Sequence, residues 1–366
     1  MAEVEVDIQA ICSLGGAVFT YQNDIWMRTY CNGKGEFDWC IGAGGAIATL
    51  RDAKNNYEPL IAPLYIWEST DRIFQWTWWD GIKVPIPGIA EDRYNITQGG
   101  NSLGGTTDPK GKFAQIMQVF IDQKNFVVEI YSVQDNQWYP ERDKFIKSKI
   151  SAYTRYQIDE GDVRVRRVFL VGDTTVNGVA TDLKGSYIEA WTPMIAPKFD
   201  AMALQLSSTG TPLWWYRYNY NIPYYPQINV KSTHGYSVVY KESNPAANVA
   251  VGLAFGKNNP NIGTYNFNSM DWHQGTKFIG MLPGIQAPPF KKGTVIDQEL
   301  FLLPLRKLDL DAVKRLEKRS AGVKAPRIIL AGAAIPADLT IIVNRLKSNL
   351  TATGVRTNHL APLIKK

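Results

Sequence analysis

The chain has 366 residues, 45% of them hydrophobic and 20% charged, with a net charge of +6. That composition is globular and long enough to bury a sizeable core, and its weak, dispersed positive balance argues against a nucleic-acid partner. An aromatic fraction of 12%, with 11 Trp and 18 Tyr, points to binding surfaces or repeated sheet packing.

The first stretch, "MAEVEVDIQA", is acidic and lacks the apolar region of a secretion signal. No apolar run approaches the roughly 18 residues of a membrane span. A cytoplasmic protein with no membrane partner is expected. Cys12, Cys31 and Cys40 show no CxxC spacing and no paired histidines, so reduced thiols are expected rather than a disulfide framework or a metal site.

Up to about residue 300 the chain alternates short β-branched and aromatic runs with Gly, Asn, Asp and Pro turns, which predicts an all-β architecture. The runs group into six weakly similar units. They span Val6 to Gly45, Pro59 to Gly81, Lys112 to Pro140, Lys149 to Pro193, Phe199 to Ile228 and Tyr236 to Gly280. Four strands per unit and radial packing, which hides sheet edges, give a six-bladed β-propeller over residues 1–290. In the second unit "FQWTWWDG", Phe74 to Gly81, reads as a third strand whose Asp-Gly turns into the blade edge. "GAGGAIATL" reads as a linker between blades.

Residues 291–366 change character and predict a short, partly α-helical C-terminal extension. "LDLDAVKRLEKRSAG", Leu308 to Gly322, has helical spacing, acidic residues in its first turn and a Gly at the expected C-cap. "IPADLTIIVNRLKSNL", Ile335 to Leu350, has Pro336 near its start and one apolar face. "PRIILAGAA" between them reads as a strand. The run "VKRLEKRSAGVK" reads as a solvated helix face. The extension is expected to pack on the propeller or to offer a homodimer contact.

The strand order of the first unit, "IQAICSLGGAVFTYQ", "NDIWMRTYC" and "FDWCIGAGG", together with "FVVEIYSVQDNQW" in the third, resembles the fungal fucose-lectin type of six-bladed propeller over about residues 6–285. In that family an Arg from a blade's second strand and a Glu from its third clamp the sugar hydroxyls. The resemblance places Val18 and Met27 at those positions in the first unit, and Trp76 at the Glu position of the second. The third keeps Glu129 but has Gln118 for the Arg. The fourth keeps Arg167 but has Thr181 for the Glu, and the sixth has Ala250 and Thr264. With no clamp intact, multivalent fucose binding is not expected.

The closest resemblance in character is to the fungal hetero-Diels–Alderases of tropolone–sesquiterpene biosynthesis, which use this fold. It implies a cofactor-independent pericyclase that joins a tropolone o-quinone methide to a humulene-type alkene. Such a reaction needs preorganisation of small hydrophobic or aromatic substrates and one polarising hydrogen bond. On that reading Arg167, Glu129 and His273 are the catalytic candidates. Trp76, Trp214, Tyr216, Tyr218, Arg155, Tyr156 and Trp272 are the substrate-binding candidates. Each has a plainer explanation in blade packing or ion pairing, and a divergent glycan-binding lectin or a protein-binding propeller are the alternatives. Conventional catalytic motifs (GxSxG, a Walker loop, HExxH) are absent, and neither cofactor nor metal is called for.

Overall fold

The structure, a computed structural model, describes residues 16–21, 24–31, 34–41, 47–52, 58–61, 79–84, 94–97, 115–141, 144–176, 178–180, 187–195, 201–217, 228–230, 234–243, 250–257, 262–272, 276–281, 283–286 and 291–352. A five-stranded sheet takes β1 (Gly16–Tyr21), β2 (Asp24–Cys31), β3 (Lys34–Ile41), β4 (Ile47–Asp52) and β5 (Glu58–Ile61) in chain order. Next, β6 (Trp79–Val84) and β7 (Tyr94–Thr97) join a seven-stranded sheet. The chain enters an eleven-stranded sheet with β8 (Gln115–Asp122), β9 (Val127–Glu141), β10 (Lys144–Asp159), β11 (Asp162–Val176) and β12 (Val179–Ala180).

Thereafter the two sheets share the chain. β13 (Tyr187–Ile195) belongs to the seven-stranded sheet, and β14 (Ala201–Leu206) and β15 (Pro212–Arg217) to the large one. β16 (Ile228–Val230) returns to the seven-stranded sheet, while β17 (Tyr236–Tyr240) and β18 (Ala250–Ala254) extend the large one. β19 (Ile262–Trp272), β20 (Thr276–Met281) and β21 (Pro283–Gln286) complete the former. β22 (Val295–Leu305), helix α1 (Leu310–Gly322), β23 (Arg327–Ile329) and helix α2 (Thr340–Thr351) finish the described chain.

These strands do not build the expected six-bladed propeller. A propeller keeps each four-stranded blade separate, whereas the large sheet runs β15-β14-β17-β18-β22-β11-β10-β9-β8 with β12 and β23 alongside. That path has two ends, so the sheet is open, and every pairing in it is antiparallel. β9, β10 and β11 have 15, 16 and 15 residues, long beside the usual range of about 3–10. β9, from the expected third unit, pairs along its length with β10, most of which belongs to the fourth, so one sheet spans both units. β22 lies beyond residue 290 yet sits between β18 and β11, in the middle of the sheet. Period-two alternation says which face a residue takes but not which strand lies beside it, so the same pattern suited both architectures.

Local pairings follow the sequence more closely. Val18 and Met27, placed on successive strands by the lectin resemblance, are register partners in the β1–β2 hairpin. The β10–β11 turn has positive φ at both Glu160 (48°) and Gly161 (82°), the primed geometry whose twist matches that of a tight hairpin. Asp80 and Gly81 lie inside β6 rather than at a turn, and Ile47 to Leu50, expected in a linker, lie in β4.

The two helices form where their periodicity predicted, and their apolar faces pack on the chain's own sheet. The Asp309 side chain accepts from Ala312 N at 3.0 Å and starts α1. Gly322 is the last residue of α1, and its C-cap is Val323 rather than a glycine. β22 shows how the helices share the sheet. Val295 packs in the cluster containing Leu339, Val343 and Leu346 of the α2 region. Phe301, Leu303 and Leu305 pack with Ala312, Val313 and Leu316 of α1. All four strand residues are odd-numbered and therefore share one face, so α1 and α2 cover opposite ends of the same face. Both approach closely. A Cβ on Gly252 would stand 2.7 Å from Leu316 Cδ2, and one on Gly172 would stand 3.0 Å from Leu350 Cδ2. No described helix is long and apolar enough to cross a membrane.

Candidate functional site

Between the two helices the apolar run on this face of β22 is broken by Asp297 and Glu299. The same face of β11 contributes Arg164 and Arg166, β10 contributes Arg155 and Gln157, and β9 contributes Glu129. Register places Glu129, Arg155, Arg166 and Glu299 in one row across four neighbouring strands. On the far edge of β22, pairing with β18 stops at Phe301 and pairing with β23 starts at Asp297. At that break the segment from α1 to β23 brings in Lys324, Ala325 and Arg327. These residues, apart from Glu129, which lies beside Arg155, line a cleft of about 140 Å³.

Five of the lining side chains are cationic (Arg155, Arg164, Arg166, Lys324 and Arg327) and two are carboxylates (Asp297 and Glu299). Much of that charge is internally paired. Arg166 meets Asp297 through two bonds, of 3.0 and 3.2 Å. Arg327 reaches Asp297 at 2.6 Å and, with two nitrogens, Asp338 at 2.6 and 3.1 Å. The hydrogen bonds from Arg327 hold the Asp338 carboxyl down at about 2. Arg164 meets Glu299 through a single bond, Nη2 to Oε2, of 2.5 Å. The neighbouring Arg164 Nε and Glu299 Oε1 are shielded from solvent with no hydrogen-bond partner among the described residues. Lys324 is exposed and has no ion-pair partner among the described residues.

At the cleft's other side, the Tyr153 hydroxyl donates to Glu129 Oε1 at 2.6 Å and Arg155 Nε lies 3.5 Å from the same oxygen. Burial, and then the bond to Glu129, push the Tyr153 hydroxyl far above its usual range, so it remains a donor at any physiological pH.

Of the residues singled out from the sequence, Glu129 and Arg155 thus meet at the cleft. Arg167 and Tyr156 are described but lie on the opposite face of the sheet, where Arg167 is only 2% exposed. Glu129 and Arg167 therefore do not face a common ligand. Trp214, Tyr216 and Trp272 fall in β15 and β19, with side chains outside the described residues. Trp76, Tyr218 and His273 lie outside the described residues altogether. Sequence reasoning missed Arg164, Arg166, Asp297, Glu299, Lys324 and Arg327. The signal available was "VRVRR", whose alternate arginines break the polar–apolar rule of a buried strand and need carboxylates opposite them. The run "VKRLEKRSAGVK" is not simply a solvated face. Arg319 within it is 8% exposed by side chain and bonds Asp162 at 2.7 Å.

No protein-family model matches this chain, and no curated protein matches it. Among solved structures it is similar to a proposed aldose 1-epimerase from Escherichia coli, with 10% identity over 78% of this chain and 97% of that one, at a TM-score of 0.42. A galactose mutarotase-like protein from Lactobacillus casei shows 8% identity over 79% and 99%, at 0.40. The Slr1438 protein from Synechocystis shows 9% over 84% and 100%, at 0.39. At these scores the likeness assigns the chain neither an activity nor a ligand. The two with named activities are mutarotase- or epimerase-like, not fucose-lectin propellers. The expected hetero-Diels–Alderase reaction with tropolone and sesquiterpene partners rested on the propeller resemblance, and the open eleven-stranded sheet removes that basis. The described cleft is walled by charged side chains rather than by aromatic rings.

Proposed function

We propose that this protein binds a small oxyanion-bearing molecule, a phosphate or carboxylate, in the cleft between α1 and α2. The observation that carries this reading is the excess of cations, five against two carboxylates, converging on one concave site. Arg166 and Arg327 are committed to Asp297 and Asp338, and Arg164 to Glu299, which leaves Lys324 and Arg155 as the groups that meet an incoming anion. Lys324 supplies a mobile point charge at the rim. Arg155, held only by a 3.5 Å contact to Glu129, supplies a planar donor fork.

Calorimetric titration with inorganic phosphate, propyl phosphate, acetate and glycerol tests this. The anions should bind at low salt, and glycerol alone should not. Raising ionic strength toward 0.15 M, where the Debye length is about 8 Å, should weaken binding. Each hydrogen bond to a charged group contributes about 1.5–3 kcal/mol. The Arg155→Ala/Lys324→Ala double variant should therefore lose on the order of tenfold in affinity or more. Undiminished binding by that variant, or no anion binding by the wild type at low salt, would overturn the assignment.

A further inference from the structure

Four arginines line the cleft, and each meets a carboxylate. Arg164 pairs with Glu299 at 2.5 Å, Arg166 with Asp297 at 3.0 Å, Arg327 with Asp338 at 2.6 Å and Arg155 with Glu129 at 3.5 Å. Lys324 is the lining cation without a carboxylate partner among the described residues. Asp338 and Glu129 stand just outside the lining. With these two neighbours included, five cations face four carboxylates, and the surplus is a single positive charge.

The four pairs are not equally firm. The side chains of Asp297 and Glu299 are only 9% and 6% exposed, which keeps their arginines engaged. The contact between Arg155 and Glu129 is the longest, and these side chains are 31% and 33% exposed. Arg155 is therefore the arginine that an incoming group shares, with Glu129 still beside it. One negative charge on a ligand is balanced by Lys324. A second has no cation of its own, is repelled by Glu129 and gives up more hydration on entry.

Resting on the reading of the cleft as an oxyanion site, we infer that it is fitted to a single negative charge and that Glu129 sets this limit. The ligand class is a monoanion whose two equivalent oxygens suit the Arg155 fork, a carboxylate or a phosphodiester, rather than a phosphomonoester dianion. Glu129 acts as the specificity residue by holding Arg155 short of becoming a second surplus charge.

Dimethyl phosphate and methyl phosphate share a headgroup and differ in charge. At pH 8, above a phosphomonoester's second pKa of about 6, the first carries one charge and the second two. In calorimetric titration of the wild type at low salt, dimethyl phosphate should bind on the order of threefold more tightly, or better. Glu129→Gln, checked for folding by its circular dichroism and melting curve, has two surplus cations. It should reverse the order and bind methyl phosphate on the order of tenfold more tightly than the wild type does. A wild type that binds methyl phosphate as tightly as dimethyl phosphate, or more so, would overturn the inference and leave the oxyanion reading standing. A folded Glu129→Gln that keeps the wild-type order would overturn it too. Binding of neither phosphate would remove the oxyanion reading itself. The wild-type comparison needs no variant, so it decides the matter even if Glu129→Gln misfolds.

Discussion

Both helices bury apolar side chains on the same face of the sheet, but α1 adds a buried ion network and α2 an arginine laid across rings. Under α1, Asp162 is almost fully buried and takes bonds from both Arg315 and Arg319. Arg319 also bonds Asp159 at 2.8 Å and lies over the Phe301 ring at 4.7 Å. Under α2, Leu339, Val343 and Leu346 are buried beside Tyr131 and Tyr153. Arg345 lies 5.1 Å from the Phe120 ring centre and 4.9 Å from that of Tyr131. Two helices of 13 and 12 residues thus use different chemistry for the same task. Apolar packing degrades in proportion to the atoms removed. A buried ion network fails as a unit when one member is lost, because the survivors stay buried without their counter-charge.

The sharpest way to break the contrast is Asp162→Ala. It takes from Arg315 and Arg319 the buried carboxylate they share, leaving Arg319 its bonds to Asp159, and should destabilise the fold by about 4 kcal/mol in chemical denaturation. Leu346→Ala leaves a cavity under α2 and should cost somewhat less, about 3 kcal/mol. If Asp162→Ala cost less than about 1 kcal/mol, the ion network would not be what holds α1. The smallest effect concerns the tether ahead of α2. Asp338 has a folded-state value of about 2, below the ordinary 3.8, because Arg327 bonds it. A depressed carboxyl stabilises the fold above its unfolded value and loses that contribution as pH falls through the folded one. Wild-type stability should therefore decline from about pH 4 to pH 2, and Asp338→Asn should flatten that part of the acid profile.

What the sequence disclosed is uneven for a physical reason. Both helices and the β1–β2 hairpin are decided within a few residues, by caps, periodicity and short turns, so they could be read directly. The partnership of β22 with β11 joins residues more than a hundred positions apart, such as Arg164 and Phe301, and no local pattern encodes it. The cleft depends on that pairing. Arg164 and Arg166 acquire their meaning only when Asp297 and Glu299 arrive beside them. Arg155 and Glu129 are singled out by the propeller resemblance, not by the β9–β10 pairing that brings them together.

The central position of β22 also has a temporal consequence. A ribosome delivers the chain from its N-terminus, and β11 and β18 are both made well before residues 295–305. Until β22 emerges, each of those strands presents a bare row of amide and carbonyl groups, and two part-sheets wait with sticky margins. The last strand closes both margins at once and, in the same step, brings Asp297 and Glu299 to the waiting arginines. Closure of the two margins and arrival of the cleft's carboxylates are a single event, so a chain halted before that strand would lack both.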